Sequence, residues 1–379
     1  MNIHLDLYTL SLGVAVVILL FTSSLLFAVR ENRNHRADAV FCWFLLLLAA
    51  ALLNDVLGEN EVFVPFPVLY DYQGLCILCL GPLLYFYILY QTKPHFEWRP
   101  WQLGHFIVLV PYALLAWWFW KDDGLAKLQA FRFQRYQDFQ YGLLLEYLPM
   151  VQIAGYLLVC FYHLRQHNRN IRELMSSVEH ATLAWLRSLL LTVIALFGAW
   201  MLANLVREVP DSLLGLAAVL VSYALCYQAL GQKAIYDTPQ PAQVFEMVET
   251  ELAVRYSSST LTTPDIQALM QQVETCMRET KPYLVNGLTL TQLAERLDVT
   301  PHQLSQVLNQ GFKENFYKFI NRYRVEESKR LLLDSRLQHY NILGIAFEAG
   351  FNSKSTFNKV FKEVTGLSPS EFQQENKPA

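Results

Sequence analysis

The chain has 379 residues, of which 53% are hydrophobic, 14% aromatic and only 17% charged, with a formal net charge of −3. A positive mean hydropathy of +0.21 excludes an ordinary soluble protein, and the near-neutral charge excludes nucleic-acid binding through overall positive charge. The apolar excess lies in residues 1–230.

Tyr8 to Val29 is a charge-free, mostly apolar run long enough to cross a bilayer. Similar runs follow at Ala39 to Leu57, Val68 to Tyr90, Leu103 to Trp120, Leu143 to Leu164, Leu189 to Val206 and Leu213 to Leu230. Residues 1–230 are therefore expected to form a seven-helix transmembrane bundle with a sensor role. The first run reads as a retained span rather than a signal peptide. Met1 to Thr9 has no basic segment, the run exceeds a signal core, and Arg30 follows directly.

Charge orients the bundle. Arg30, Arg33 and Arg36 follow the first run, Lys93 and Arg99 the third, and Arg165, Arg169, Arg172 and Arg187 lie between the fifth and sixth. The loop after the second run carries Glu59 and Glu61 and no base. Basic loops face the cytoplasm, so the expected placement is a multi-pass protein of the bacterial cytoplasmic (inner) membrane, amino terminus outside and carboxyl terminus inside. Lys121, Lys127, Arg132 and Arg135 then fall outside. They are offset in part by Asp122, Asp123 and Asp138, and Phe131, Phe133, Tyr136, Phe139 and Tyr141 interleave with them. That segment reads as an aromatic-rich lid lying on the outer membrane surface.

Five of the six cysteines fall in apolar runs, and the Cys76-x-x-Cys79 spacing reads as packing, since no histidine is near enough in sequence to complete a metal site. Gly81-Pro82 is expected to kink or locally open the third span. Polar groups in spans are costly and mark candidate sites. Asn54, Asp55, Asp71 and Glu146 all fall near the outer ends of their spans and are the candidate signal-binding residues; local pairing in the headgroup region is the alternative for each.

From Gly231 the texture turns polar. Residues 231–264 read as a linker, with Pro239 and Pro241 inside Gln232 to Gln243, a short helix at Val244 to Val254, and a second breaker from Ser257 to Pro264 ahead of a helix at Asp265 to Glu279. Residues 265–379 form the last domain. The region from Lys233 onward holds 16 bases against 17 acids, but Pro301 to Lys362 holds 10 against 5, and local clustering is what DNA affinity needs.

Within that domain Leu290, Leu293, Ala294 and Leu297 make a helical stripe. Thr289 is its N-cap, Gln292 the capping-box partner, and Leu288 staples onto Leu293. After Asp298-Val299, Thr300 caps a second helix with Pro301 at its first position and Gln303 as partner. Leu304, Val307 and Leu308 face inward and His302, Ser305 and Gln306 outward. Phe316 to Leu333 reads as one connecting helix, with Phe316, Phe319, Ile320, Tyr323 and Leu331 to Leu333 giving apolar contacts and Arg322, Arg324, Lys329 and Arg330 giving charge. The pattern then repeats. Ile342, Ile345, Ala346 and Ala349 lead to Gly350, which can end a helix in the left-handed conformation, and Phe357, Val360, Phe361 and Val364 form a further inward stripe. Lys354, Ser355, Asn358, Lys359 and Lys362 remain outward, a mixture of cation, hydroxyl and amide suited to phosphates and base edges.

Lys281 to Phe372 resembles the DNA-binding domain of the AraC/XylS family of bacterial transcription regulators. The resemblance rests on Ala346-Phe347-Glu348-Ala349-Gly350-Phe351, on Ser353, Ser355, Phe357 and Phe361-Lys362, on Thr365 to Pro369, and on Phe319 to Leu331. It implies two helix-turn-helix units joined by a long helix, each placing one helix in the major groove. At Gln306, where many members carry a base, this chain is neutral. His302, Ser305, Gln306, Lys354, Ser355, Asn358 and Lys359 are the expected base readers and Lys362 a phosphate contact. Gln303, Arg322, Asn352, Ser353 and Thr356 complete the candidate DNA-binding set.

The expected class is all-α, and the expected function is a membrane-embedded, sequence-specific transcription regulator rather than an enzyme. No Ser/His/Asp constellation, Walker loop, H-E-x-x-H or kinase signature is present, and no cofactor or metal site is implied. The implied partners are double-stranded DNA, the lipid bilayer, an unknown signal, a second copy in a homodimer, and RNA polymerase. The rival reading is a multi-span receptor or transporter whose tail is a protein-interaction module.

Overall fold

The computed structural model describes residues 6–28, 34–93, 96–122, 124, 126–128, 141–176, 184–205, 210–230, 261–337 and 340–376. Among them the chain is helical throughout, with no strand beyond one isolated bridge between Met175 and Thr289. The expected lid at 131–139, the short helix at Val244 to Val254 and nearly all of the linker lie outside the described residues.

The chain divides into two units. The first comprises residues 1–165 and 184–237, and the second residues 166–183 and 238–379. In the first, α1 (Leu7–Ala28), α2 (His35–Glu59), α3 (Tyr72–Thr92), α4 (Leu109–Trp120), the part of α5 (Gly142–Leu174) up to Arg165, α6 (Ala184–Leu205) and α7 (Asp211–Leu230) follow the seven expected runs. Helix α1 packs between α2 and α7, α2 continues onto α3, and α6 packs on α7. Small polar groups bind the pairs together: Ser23 Oγ donates to the Cys42 carbonyl and Cys42 Sγ to the Ser23 carbonyl, each at 3.5 Å. Asn34 caps α2 by accepting from the Ala37 amide, and its own amide crosses to the Tyr90 carbonyl at 2.8 Å.

Six described helical stretches are long and apolar enough to cross a membrane. The remaining expected span, the sixth in chain order, coincides with α6, of which Trp185–Ala199 counts as a shorter apolar helix. Two spans begin more tightly than expected, because proline sets their first turns. Pro67–Asp71 and Pro100–Phe106 are 3-10 turns leading into α3 and α4, and the α-helical part of the fourth span is only 12 residues. Helix α3 runs on through Pro82 rather than breaking there. Gly81 has a packing role instead: a Cβ there would stand 2.7 Å from the Tyr156 ring, so the absent side chain lets α5 lie against the α3 backbone.

The second unit is built from α8 (Thr263–Glu279), α9 (Leu290–Arg296), α10 (Pro301–Gln306), α11 (Phe316–Leu333), α12 (Ile342–Glu348), α13 (Lys354–Thr365) and α14 (Pro369–Glu375). Helix α8 starts two residues before its expected position, because Thr262 caps it in a box with Asp265. Two cores flank α11. On one side Leu288, Leu290, Leu293, Leu304, Leu308 and Phe319 close with Val273 and Met277 of α8. On the other Val325, Leu332, Ile345, Ala346, Phe351, Phe357 and Phe361 close together.

Candidate nucleic-acid interface

The first helix-turn-helix is α9, a turn, and α10. Thr289 and Gln292 satisfy each other's backbone N–H groups at 3.2 and 3.1 Å, as do Thr300 and Gln303 at 3.2 and 3.0 Å. Asp298 takes a left-handed φ of 55° in the turn between them. The chain continues beyond α10 through a π-helical turn, Val307–Gly311, with Leu304, Val307 and Leu308 buried. His302 and Ser305 lie half-buried on the opposite side. Gln303 is the expected capping-box partner of Thr300, so its side-chain oxygen is committed and only its amide N–H groups are left for outward chemistry. Gln306 is engaged by its own chain: its amide donates to Gln310 at 3.3 Å and its oxygen accepts from the Leu261 backbone at 3.4 Å.

The second unit repeats the device. Asn341 caps α12, accepting from the Gly344 amide at 2.7 Å, and Gly350 turns the chain at φ 89°. Asn352 lies in that turn. Ser353 caps α13 by accepting from the Thr356 amide at 3.2 Å, with the Ser355 hydroxyl 3.1 Å away. Phe357, Val360 and Phe361 are buried, while Lys354, Ser355, Lys359 and Lys362 are exposed and Asn358 half-buried. At 100° per residue those five positions cover an arc of about 140°, the face α13 turns away from its core. Lys359 and Glu363 are 4.0 Å apart, both well solvated, so this pair holds the lysine only weakly.

Val364 does not join the inward stripe. It is 46% exposed, because α14 brings Phe372 against Phe361, ring centroids 5.4 Å apart, and closes the core one turn earlier. Helix α14 was not among the expected elements, although Ser368-Pro369-x-Glu371, a capping box with proline at the first position, carried its signal.

Connecting helix α11 matches its expected bounds, and its 18 residues rise about 27 Å. Arg322 stays on its flank: the guanidinium pairs with Glu314 at 3.2 Å and lies over the rings of Phe319 and Tyr323 at 5.4 and 5.0 Å. It is not brought together with the α10 or α13 residues by any of these contacts. Arg330 at 2.7 Å and Lys281 at 3.4 Å hold the Glu327 carboxyl below the usual glutamate range.

Arg324, expected with Arg322, Lys329 and Arg330 to give the connecting helix its charge, is set apart from them by its position. It is wholly buried, donating from Nε to the Tyr283 carbonyl at 2.7 Å and from Nη2 to the Val285 carbonyl at 3.0 Å, with its guanidinium carbon 5.8 Å from the Phe351 ring. Burial pushes it down to about 10, so it stays charged at neutral pH. Tyr283 and Val285 precede α9 and Phe351 precedes α13, so Arg324 joins the two helix-turn-helix units. Gly350 lies at the same seam, where a Cβ would stand 2.4 Å from the Tyr283 carbonyl oxygen. The signal for Arg324 was its spacing: four residues after Ile320 and seven before Leu331, it lies in the middle of the buried stripe.

In the other unit the four candidate signal residues form two neighbouring groups. Gln73 donates to Asp55 at 3.0 Å and accepts from the Asn54 amide at 3.4 Å. Asp71 accepts from Trp120 Nε1 at 3.0 Å and from the Tyr112 hydroxyl at 3.3 Å, and Tyr112 also reaches the carbonyl of Leu145, next to Glu146. Asn54 also hydrogen-bonds to Asp55 within the first group, and Tyr70 is the common neighbour of the two groups, within Coulombic reach of Asp55, Asp71 and Glu146.

Two capped helix pairs, each offering its second helix from the outer side of a core and joined by one long helix, make a double helix-turn-helix domain. Residues 293–375 match a family model described as "Helix-turn-helix domain". The chain is also 26% identical over 112 residues to the Arabinose operon regulatory protein of Escherichia coli (strain K12), covering 28% of this chain and 37% of that protein. It thus spans little more than a third of the length of that relative. No solved structure matches. The carboxyl-terminal domain is thus a helix-turn-helix domain, and the motifs that resemble those of AraC-type domains fall largely within the matched residues.

Proposed function

We propose that this protein is a membrane-embedded, sequence-specific DNA-binding transcription regulator of the bacterial inner membrane, coupling a signal met at or in the membrane to gene expression. The observation that carries the reading is the presence, in one chain, of an AraC-type domain with two polar reading faces and six helices long and apolar enough to cross a bilayer. Large apolar side chains turned away from the helical packing support it: Val17, Phe27, Leu158 and Leu220 are each at least 65% exposed, as lipid contact allows and water does not. In this reading the bundle senses, with Asn54, Asp55, Asp71 and Glu146 as the candidate signal groups, and the tail lies on the cytoplasmic side with the chromosome. A modestly charged domain gains occupancy when two copies are held together in the membrane, and the bound regulator acts on RNA polymerase.

The test uses the full chain in lipid nanodiscs against a pool of genomic duplex fragments. Specific retention of a subset is expected. Retention of none, or of all fragments alike, overturns the regulator reading in favour of a receptor or transporter with an interaction tail. Reporter fusions after Ala37 and after Lys233 should read cytoplasmic and after Asn60 external; an external reading at Lys233 would place the domain where no DNA is.

A further inference from the structure

The seam at Arg324 is completed by a residue from far outside the DNA-binding domain. The end of α5 groups with the second unit, and Met175 and Ser176 lie along the segment leading into α9. The Ser176 amide and hydroxyl both donate to the Leu288 carbonyl, at 3.1 and 2.7 Å. Its carbonyl accepts from Asn321 Nδ2 at 3.0 Å and from Arg324 Nη1 at 3.2 Å, and Arg324 Nη2 reaches its hydroxyl at 3.0 Å. Every polar atom of Ser176 is used, the residue is fully buried, and Leu174 packs on the core of the first helix-turn-helix.

We infer that the seam between the two helix-turn-helix units is a docking site for residues 174–176, and that its occupation sets the mutual arrangement of α10 and α13. Without Ser176 a buried guanidinium would lose two of its acceptors, so an emptied seam must admit water and loosen. The same guanidinium holds Tyr283 and Val285 of one unit and the Phe351 ring of the other, so loosening it frees the readers from each other. Position adds the second argument. Ser176 follows the last residue of α5 by two positions, whereas 30 residues separate Leu230 from Leu261. A displacement of α5 therefore has its shorter covalent path to the readers through Ser176. The effect on DNA rests on the regulator reading; the docking does not.

The experiment uses the full chain in nanodiscs. Met175 and Thr289 are bridged antiparallel with the Ser176 amide bonded to the Leu288 carbonyl beside them, the non-hydrogen-bonded kind of pair whose Cα atoms usually lie about 4.5 Å apart, within the range a disulfide spans. Met175→Cys with Thr289→Cys should crosslink on mild oxidation, identified by peptide mapping, and the Ser176 amide should exchange at least roughly a hundredfold slower than in an unstructured peptide. Ser176→Leu, which removes both hydroxyl bonds and overfills the notch, should abolish that protection. Duplexes selected from a random pool by the wild-type chain, then trimmed to one or both contacted groove segments, read the consequence. Ser176→Leu should lower affinity for the two-segment duplex about tenfold while changing one-segment binding less than about twofold, which also shows that each unit remains folded. Absence of the crosslink, or free exchange at Ser176, overturns the docking. Unchanged two-segment binding in Ser176→Leu overturns its control of the readers. A wild-type chain that selects no DNA refutes the regulator reading, and the crosslink and exchange then decide the docking alone.

Discussion

Replacing Arg324 by methionine should unfold the carboxyl-terminal domain more readily than any change on its reading faces. Methionine fills a similar length of the buried stripe but offers no donor. The Tyr283 carbonyl loses its 2.7 Å partner, and the Val285 and Ser176 carbonyls keep only the Leu288 amide at 3.4 Å and the Asn321 amide at 3.0 Å. One orphaned buried carbonyl costs about 1–3 kcal/mol, and losing two bonds to a charged donor about 1.5–3 kcal/mol each, partly offset by no longer burying a cation. The net loss should be roughly 3 kcal/mol, a large part of a typical domain's stability. Lysine should not rescue it, because one ammonium cannot reach carbonyls spread along a planar fork and is harder to desolvate. The assay is amide exchange of Phe319 and Ile320 in the full chain across a urea series. With a slope of about 1–1.5 kcal/mol per molar for a domain of this size, the midpoint should fall by roughly 2 M in both variants. A shift of under about 0.5 M, or full rescue by lysine, would show that Arg324 is not the fastening between the units.

Asn358→Ala should lower affinity for a selected duplex by about 1–3 kcal/mol and relax preference at one base pair, whereas Lys362→Ala should weaken all sequences alike; equal loss on selected and random duplexes would remove Asn358 from the base readers. Gly350→Ala combines a left-handed φ of 89° with a Cβ 2.4 Å from the Tyr283 carbonyl oxygen. Strain of about 1–2 kcal/mol and overpacking of about 1–3 kcal/mol should both appear in the same urea series, and a neutral result would mean that the seam yields easily. Acidification should also destabilise the domain. Glu327 is held below its ordinary value of 4.5 by Arg330 and Lys281, so its contribution is full above that pH and is lost as pH falls through the depressed value. Core amide protection should therefore be flat from neutrality down to about pH 5 and fall below it, and Glu327→Gln should flatten part of that fall.

What the sequence determined by itself was everything with a short period or a fixed local spacing. Threonine or serine followed three residues later by glutamine located the helix starts at Thr289 and Thr300, apolar spacing fixed α11 to the residue, and uninterrupted apolar length marked the membrane-type runs. Those signals work because the cap, the stripe and the span are each decided within one or two turns of chain. Tertiary structure decided which polar residues are spent inside the fold. Gln306 reads outward by periodicity but is bonded to Leu261, 45 residues earlier, and Arg324 reads as one of four charges on the connecting helix but is buried against Tyr283, Val285 and Ser176. Val364 continues a helical stripe that Phe372 has already closed. A hydrogen bond between residues 148 apart leaves no mark on the local pattern of either, because its energy depends on a water-free seam that exists only once both units and the segment after α5 have come together.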